Sequence, residues 1–425
     1  MREAGESILV SMARSRKSKE KISLFEHAIQ DFQNDVEGLI FAFPITVRPL
    51  IKKALKASQN FKAFEKTAIK GTKTGFLIKS SRISEFEKLH HQSQVQWGAL
   101  NSVSQSLLIS LISHFDHFLG KMVELSFRQV PELLNGTEKK ISVVEILEID
   151  NLTNARDFLI RREVDSLLHE NRWNCIKWLE EKLKVDFKID EDLMRGLVEA
   201  AERRNLFVHS GAIVTKDYIA TCKKFGVPLD PTLKVGAEIR IDPKHFYESA
   251  AIVFNIGVQM GHVVWRKLVP KEMEISDISI INLSSDLLKE QKNKRALRLL
   301  NFATGLSDFF DDKSKLIMII NKALALKQSK KIKEAHDLIA KHSWSHCDND
   351  LKIAVAMLLG NKKDVLSFME KIGPDREMSW AYGEWPLFSK FNKTPAFKKA
   401  YSKIYKKPFV IEKDRKKDRK RGFKI

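Results

Sequence analysis

Apolar residues recur at helical spacing through most of this chain, and this periodicity constrains the fold more than any other feature. The longest run predicts one helix from about Val95 to Phe127, with Pro131 just beyond its end. Segments with the alternating pattern of a half-buried strand are scarce. We therefore predict an all-α fold in which a helical bundle is flanked by an N-terminal helical region and a C-terminal array of helical hairpins.

Prolines, glycines and changes in charge divide the chain into four expected regions. The last of them is strongly basic, with ten basic and three acidic residues. The regions are an N-terminal helical region (1–90), the helical bundle (91–275), a C-terminal helical-hairpin domain (285–405) and a basic tail (406–425).

The same patterns predict individual elements. In the N-terminal region we expect Pro44 and Pro49 to separate two amphipathic helices, and residues 71–75 to form a loop. The hairpin domain is tetratricopeptide-like in the size of its helix pairs, although the residue pattern of that repeat matches poorly. The other predicted helices span 151–168, 171–183, 190–209, about 245–265, 313–328, 331–342, 348–359 and 362–371.

The chain has an excess of positive charge. It contains 74 basic and 54 acidic residues, which gives a formal net charge of +20. An apolar content of 43% and a charged content of 30% are those of a folded globular protein. Excess positive charge favours polyanionic partners through counterion release, so RNA or DNA is the first expectation. The alternative is a basic surface that only aids solubility.

Cysteine usage and hydropathy exclude several classes of protein. Cys175, Cys222 and Cys347 are widely spaced and form no Cys-x-x-Cys motif, which argues against a disulfide scaffold or a cysteine zinc site. This usage suits a reducing cytoplasm. The N-terminus lacks the apolar segment of a signal peptide, and the most apolar stretch, 250–265, is too short and too polar to span a membrane. We expect a cytoplasmic protein with no membrane partner, no metal and no cofactor.

One short motif carries most of the chemical information. Residues 204–209 read Arg-Asn-Leu-Phe-Val-His at the end of a predicted helix, and Gly211 follows as a helix stop. Histidine transfers protons near neutral pH, and arginine holds phosphate in a bidentate grip and stabilises developing negative charge. Arg204 and His209 are therefore candidate catalytic residues for phosphate chemistry.

Spacing of this kind is not selective by itself. The chain contains two other pairs at comparable spacing, Arg162–His169 and Arg240–His245. The second pair includes Pro243 and cannot lie on one regular helix. Neither histidine is followed by a glycine stop, so the surroundings of the 204–209 motif distinguish it from both pairs.

Helix geometry chooses between the two adjacent arginines. At 100° per residue, Arg204 falls within about 20° of the middle of the apolar stripe, whereas Arg203 points to the polar side. Asn205 and His209 line one edge of the stripe. A charged arginine on an apolar stripe needs compensation. Either an acidic partner compensates it, with Asp116 and Glu202 as candidates, or it faces a cleft shared with another subunit. The first case would be only a structural salt bridge.

Residues 202–209 resemble the HEPN superfamily (higher eukaryotes and prokaryotes nucleotide-binding domains), whose hallmark is Arg, often a polar residue such as Asn, and His after four to six intervening residues. Residues 113–120 resemble the first long helix of bacterial members. The resemblance covers about 95–270 and implies a HEPN-like bundle that dimerises with its motif helices facing each other. It also implies a metal-independent ribonuclease of a toxin–antitoxin, abortive-infection or antiviral system, with Arg204, Asn205 and His209 as catalytic residues.

The leading functional hypothesis is therefore a dimeric HEPN-type endoribonuclease that leaves 2′,3′-cyclic phosphate ends. RNA is its expected partner, and the C-terminal domain would bind a protein partner or antitoxin, sense a trigger or hold the RNA. The alternative, from another class, is a non-catalytic RNA-binding or scaffold protein that uses the bundle only to dimerise.

Overall fold

The computed structural model describes residues 23–67, 69–72, 75–136, 152–169 and 172–410. These residues form fifteen α-helices and one two-stranded antiparallel sheet, so the all-α prediction is confirmed. The fold divides into two compact units. Residues 27–264 form the first, here named the bundle unit, and residues 23–26 and 265–410 belong to the second, the hairpin unit.

The bundle unit contains two helices much longer than the rest, and a small hairpin of strands lies between them in the sequence. Its elements are α1 (Leu24–Thr67), β1 (Ile69–Thr72), β2 (Gly75–Leu77), α2 (Ile83–Gln129), α3 (Leu152–His169), α4 (Arg172–Leu183), α5 (Glu191–His209), α6 (Lys216–Lys224) and α7 (Pro243–Leu268).

The predicted break in the first helix is wrong, because α1 continues through Pro44 and Pro49. Each proline removes one backbone donor, at a cost of about 3 kcal/mol in a helix interior. Tertiary packing offsets this cost: the ring of Phe43 stacks on Phe246 with centroids 4.2 Å apart. Thr46 also donates its hydroxyl to the carbonyl of Ala42 at 3.0 Å. The core around this segment consists of Phe43, Val47, Ala54, Leu100 and Phe246.

The prediction of a loop at 71–75 is wrong for residues 71, 72 and 75, which belong to the strands of the small hairpin, in which Ile69 pairs with Leu77 and Thr72 with Gly75. Residues 73 and 74 lie outside the described residues. Helix α2 begins at Ile83, twelve residues before its predicted start, and ends at Gln129, as Pro131 indicated.

Helix α5 carries the 204–209 motif and has clear signals at both ends. The side chain of Asp190 accepts a hydrogen bond from the backbone of Leu193 at 2.7 Å, which caps the N-terminus. After His209 the chain adopts a left-handed conformation at Gly211, with φ of +57°. Because glycine has no side chain to hinder this conformation, the helix ends where the sequence predicts.

The hairpin unit consists of shorter helices, and between residues 273 and 372 helices that follow each other in the chain pack together. The predicted pairs are present, and Gly360 ends α12 in a left-handed conformation with φ of +79°. Residues 411–425 of the basic tail lie outside the described part of the chain. The elements of the hairpin unit are α8 (Met273–Lys289), α9 (Asn293–Ala303), α10 (Asp312–Gln328), α11 (Ile332–Ala340), α12 (Asn349–Leu359), α13 (Lys362–Ile372), α14 (Arg376–Glu384) and α15 (Pro395–Tyr405).

The four-region division of the sequence stays a prediction, although residues 27–90 belong to the same compact unit as the bundle. Among the helices described, none is long and apolar enough to cross a membrane.

The approach of α1 to α7 gives a first prediction. A Cβ built on Gly257 would lie 2.2 Å from Cε1 of Phe32, whose ring stacks on Phe118 at 4.4 Å. Because a buried aromatic ring cannot yield by this much, we expect Gly257→Ala to lower the free energy of unfolding by about 1–3 kcal/mol. Urea denaturation followed by circular dichroism measures the change.

Gly38→Ala is the matched control, since a Cβ at this helical glycine meets nothing within 4 Å. It should stabilise by about 0.5–1 kcal/mol, because alanine loses less backbone entropy than glycine in a helix. Equal effects of the two substitutions would contradict the packing described for Gly257.

Candidate functional site on helix α5

Arg204 is half-buried on α5 and lacks a carboxylate partner among the described residues. Its Nη1 donates to Oδ1 of Asn205 at 3.3 Å, while its Nε is shielded from solvent and has no hydrogen-bond partner. A guanidinium that is partly desolvated and not neutralised is costly, and an anion would relieve that cost. The feature suits phosphate, which arginine holds by two parallel hydrogen bonds.

Asn205 connects Arg204 to Glu202. Its side-chain oxygen accepts from Arg204, and its side chain also hydrogen-bonds to the carboxyl group of Glu202. Burial raises the pKa of Glu202 above its usual value, although the charge of Arg172 and the bond to Asn205 act against this rise. Glu202 therefore forms no ion pair with Arg204 among the contacts of the described residues, and Asn205 hydrogen-bonds to both side chains.

Asp116 is not the acidic partner of Arg204 that the sequence suggested, because it forms a salt bridge with Arg172 instead. Arg172, at the start of α4, donates Nε to Oδ1 of Asp116 at 2.5 Å and Nη2 to Oδ2 at 2.6 Å. This bidentate pair leaves Arg204 without the acidic partner that the sequence suggested. Nothing in the sequence pointed to Arg172, because its pairing joins residues 56 positions apart.

His209 is exposed at the last position of α5 and makes no hydrogen bond or ion pair with the residues described. Next to it, Val208 is 45% exposed, although it continues the stripe that holds the buried Leu197 and Ala201. Arg204 and His209 are separated by about 140° around the helix and about 7.5 Å along it. A single helix therefore does not aim both side chains at one small group.

A second cluster lies on the other side of α5, where sequence analysis identified no site. The carboxylate of Glu199 accepts from Arg203 at 2.7 Å and from the hydroxyl of Tyr218 at 3.0 Å. Nε2 of His245 lies 3.1 Å from its second oxygen. Arg203 also donates to the backbone carbonyl of Arg240 at 2.8 Å. Arg203 is thus fully engaged, whereas the adjacent Arg204 is not.

These side chains line a cleft of about 450 Å³ in the bundle unit. The charges inside it are largely paired: Arg203 with Glu199, and Arg195 with Glu191 and Asp192. His245 belongs to the arginine–histidine pair set aside in the sequence, and Pro243 indeed begins a new helix in front of it. The only sequence signal for this cluster was the i, i+4 spacing of Glu199 and Arg203.

The ionisation of Glu199 contributes to stability. Burial acts to raise its pKa, but the closely placed His245 and the charge of Arg203 outweigh burial and lower the pKa from 4.5 to about 2. Burial raises the pKa of Tyr218, so its hydroxyl stays a donor. A carboxylate whose pKa falls on folding stabilises the folded state above its unfolded pKa. This contribution is lost as the pH falls from about 4.5 to about 2.

We therefore expect Glu199→Gln to lower the free energy of unfolding by about 3 kcal/mol at pH 7, which is the equivalent of the pKa shift. The difference from wild type should shrink by more than half by pH 3, because the wild-type carboxylate is then being protonated in the unfolded state. Urea titrations at several pH values measure it.

Glu191→Gln on the same helix is the control. Glu191 pairs with Arg195 but its side chain is 88% exposed, so the expected loss is below about 0.5 kcal/mol at every pH. A pH-independent effect of Glu199→Gln would contradict the assigned ionisation.

Among the described residues, no group of three or more His, Cys, Asp or Glu side chains is arranged to hold a metal ion. No protein-family model, curated protein or solved structure matches this chain.

Proposed function

We propose that this protein is a HEPN-type endoribonuclease that cleaves RNA without a metal ion. The observation that carries the proposal is the state of Arg204. It is half-buried and without a carboxylate among the described residues, and it stands five positions before the exposed His209. Arg203, its neighbour, is held by Glu199. An unneutralised arginine and an accessible histidine are the two groups that this chemistry needs.

The reaction uses the 2′-hydroxyl group of the RNA as nucleophile. Its oxygen attacks the adjacent phosphorus while the neutral imidazole of His209 takes the proton. The bond from phosphorus to the 5′-oxygen breaks, and an imidazolium donates a proton to that oxygen. The products are a 2′,3′-cyclic phosphate and a 5′-hydroxyl group. Arg204 stabilises the charge that develops on the phosphate, and Asn205 fixes the orientation of Arg204.

Two copies of the chain would complete the site. Arg204 and His209 point in directions about 140° apart, so one copy presents each group to a different place. If two α5 helices face each other, Arg204 of one copy and His209 of the other reach one cleft. The exposed Val208 on the same stretch of helix offers apolar surface for such a contact.

The first test compares variants on a mixed RNA substrate in EDTA. His209→Ala and Arg204→Gln should each lower the cleavage rate by about 10²–10⁴-fold, because each removes a group needed in the transition state. The wild-type products should resist 3′-end ligation until a 2′,3′-cyclic phosphatase removes the phosphate.

His117→Ala and Arg161→Gln serve as controls, because both residues are exposed on other helices of the same unit. They should cleave at the wild-type rate. If His209→Ala cleaves as fast as wild type, or if wild-type protein retains RNA in a gel without cutting it, the ribonuclease proposal fails. The second result would support the alternative of a non-catalytic RNA-binding or scaffold protein.

A mixed dimer tests whether the site is shared. In a heterodimer of Arg204→Gln and His209→Ala, one intact arginine and one intact histidine remain, on different copies. We expect this heterodimer, purified with two affinity tags, to cleave RNA at least about tenfold faster than either variant homodimer. Absence of recovery would mean that both groups act within one copy.

The cellular setting follows by analogy with the superfamily. A cytoplasmic toxin or antiviral effector fits the proposed activity, with the hairpin unit binding a protein partner or antitoxin. Co-purification with the product of the adjacent gene is the direct check.

A further inference from the structure

The solvent-facing side of α1 is strongly basic between residues 38 and 66, where Glu65 is the one acidic residue in the sequence. No Asp or Glu occurs between residues 38 and 64. At 100° per residue, five basic positions fall within about 60° of the direction of Phe41, over about 27 Å of helix. All five are exposed: Arg48, Lys52, Lys56, Lys62 and Lys66, here named the basic face of α1.

None of these five side chains forms an ion pair or hydrogen bond with the described residues. This contrasts with other helices of the unit, where Arg128 on α2 pairs with Glu124 and Arg195 on α5 pairs with Asp192. Like charges four residues apart, as in Arg48 and Lys52, repel each other. A polyanion would remove this repulsion.

Large apolar side chains are interleaved with the charges. Phe41 is 72% exposed, Ile45 57% and Leu55 48%. Aromatic rings beside basic side chains are the combination by which proteins hold single-stranded nucleic acid, since any base can stack on a ring while cations follow the backbone. A helix that lies on a lipid surface needs one continuous apolar face. The apolar face of α1 is instead buried in the bundle through Phe43 and Val47.

We infer that the basic face of α1 binds single-stranded nucleic acid through its phosphates, with Phe41 as a stacking platform. The inference does not depend on ribonuclease activity, because the face shares no residue with the 204–209 motif. It gives the bundle unit a binding surface separate from its candidate catalytic site.

The test uses full-length protein and a fluorescent 20-nucleotide strand with 2′-O-methyl groups, which cannot be cleaved by 2′-hydroxyl attack. The same sequence as DNA is the second probe. The face variant Arg48→Gln, Lys52→Gln, Lys56→Gln is compared with a control variant that loses the same charge in the hairpin unit. The control is Lys363→Gln, Lys398→Gln, Lys399→Gln, at exposed positions with no ion pair to a described residue.

We expect the face variant to bind about tenfold or more weakly than wild type at 0.1 M salt. Its slope of log affinity against log salt should fall by about 2, because each phosphate contact on a single strand contributes about 0.7. The control variant should stay within about twofold. Phe41→Ala should weaken binding by about tenfold with the salt slope unchanged, since stacking releases no counterions.

Selective weakening of the face variant on the RNA analogue, the DNA strand or both supports the inference, and the two probes show which sugar is preferred. Equal losses in the face and control variants would overturn it, because net charge alone would then explain binding. The inference would also be overturned if the face variant lost binding to phosphatidylserine vesicles while its affinity for both nucleic-acid strands stayed unchanged. That result would favour a membrane surface as the partner. Circular dichroism checks that all variants keep their helical content.

Discussion

The buried carboxylate of Glu199 is the interaction on which the candidate site depends. It ties α5 to α6 through Tyr218 and to α7 through His245, and it takes up the charge of Arg203. The contacts of Glu199 with Tyr218 and His245 on the two neighbouring helices fix which way α5 is rotated, and in this orientation Arg204 points about 100° away from Arg203. Arg203 is thereby held by a buried carboxylate, whereas Arg204 has no carboxylate partner among the described residues. Loss of one partner of such a buried cluster would leave the others unsatisfied, so the cluster acts as a unit.

The same contrast between charges held in ion pairs and charges without a carboxylate partner among the described residues occurs elsewhere in the bundle unit. Asp116 and Arg172 neutralise each other close to Glu202, whereas Arg204 keeps its positive charge. On α1, one face supplies buried side chains such as Phe43, and the other supplies five cations that have no acidic partner in the described part of the chain. A net charge of +20 is therefore less informative than its distribution, because paired surface charges attract a polyanion only weakly. Arg204 and the basic face of α1 are therefore the positive charges available to a polyanion.

Local signals in the sequence predicted the ends of helices correctly where no tertiary packing opposes them. Gly211 marked the end of α5, and Pro131 marked the end of α2. The prediction failed at Pro44 and Pro49, because a proline disfavours a helix locally but burial of Phe43 and Val47 favours it over a longer range. For the site, periodicity gave the half-buried position of Arg204 but not its partners. Asp116 was a reasonable candidate by residue type, and only folding placed Arg172 beside it.

The sequence by itself determined the all-helical class, the ends of the motif helix and the placement of Arg204 toward the buried side, because each follows from the 3.6-residue period and from local capping. The tertiary structure decided which charges are neutralised. It paired Arg203 with Glu199 and Asp116 with Arg172, and it left Arg204 and the basic face of α1 without carboxylates among the described residues. Pairing depends on distances between residues far apart in the chain, and no periodicity records those distances.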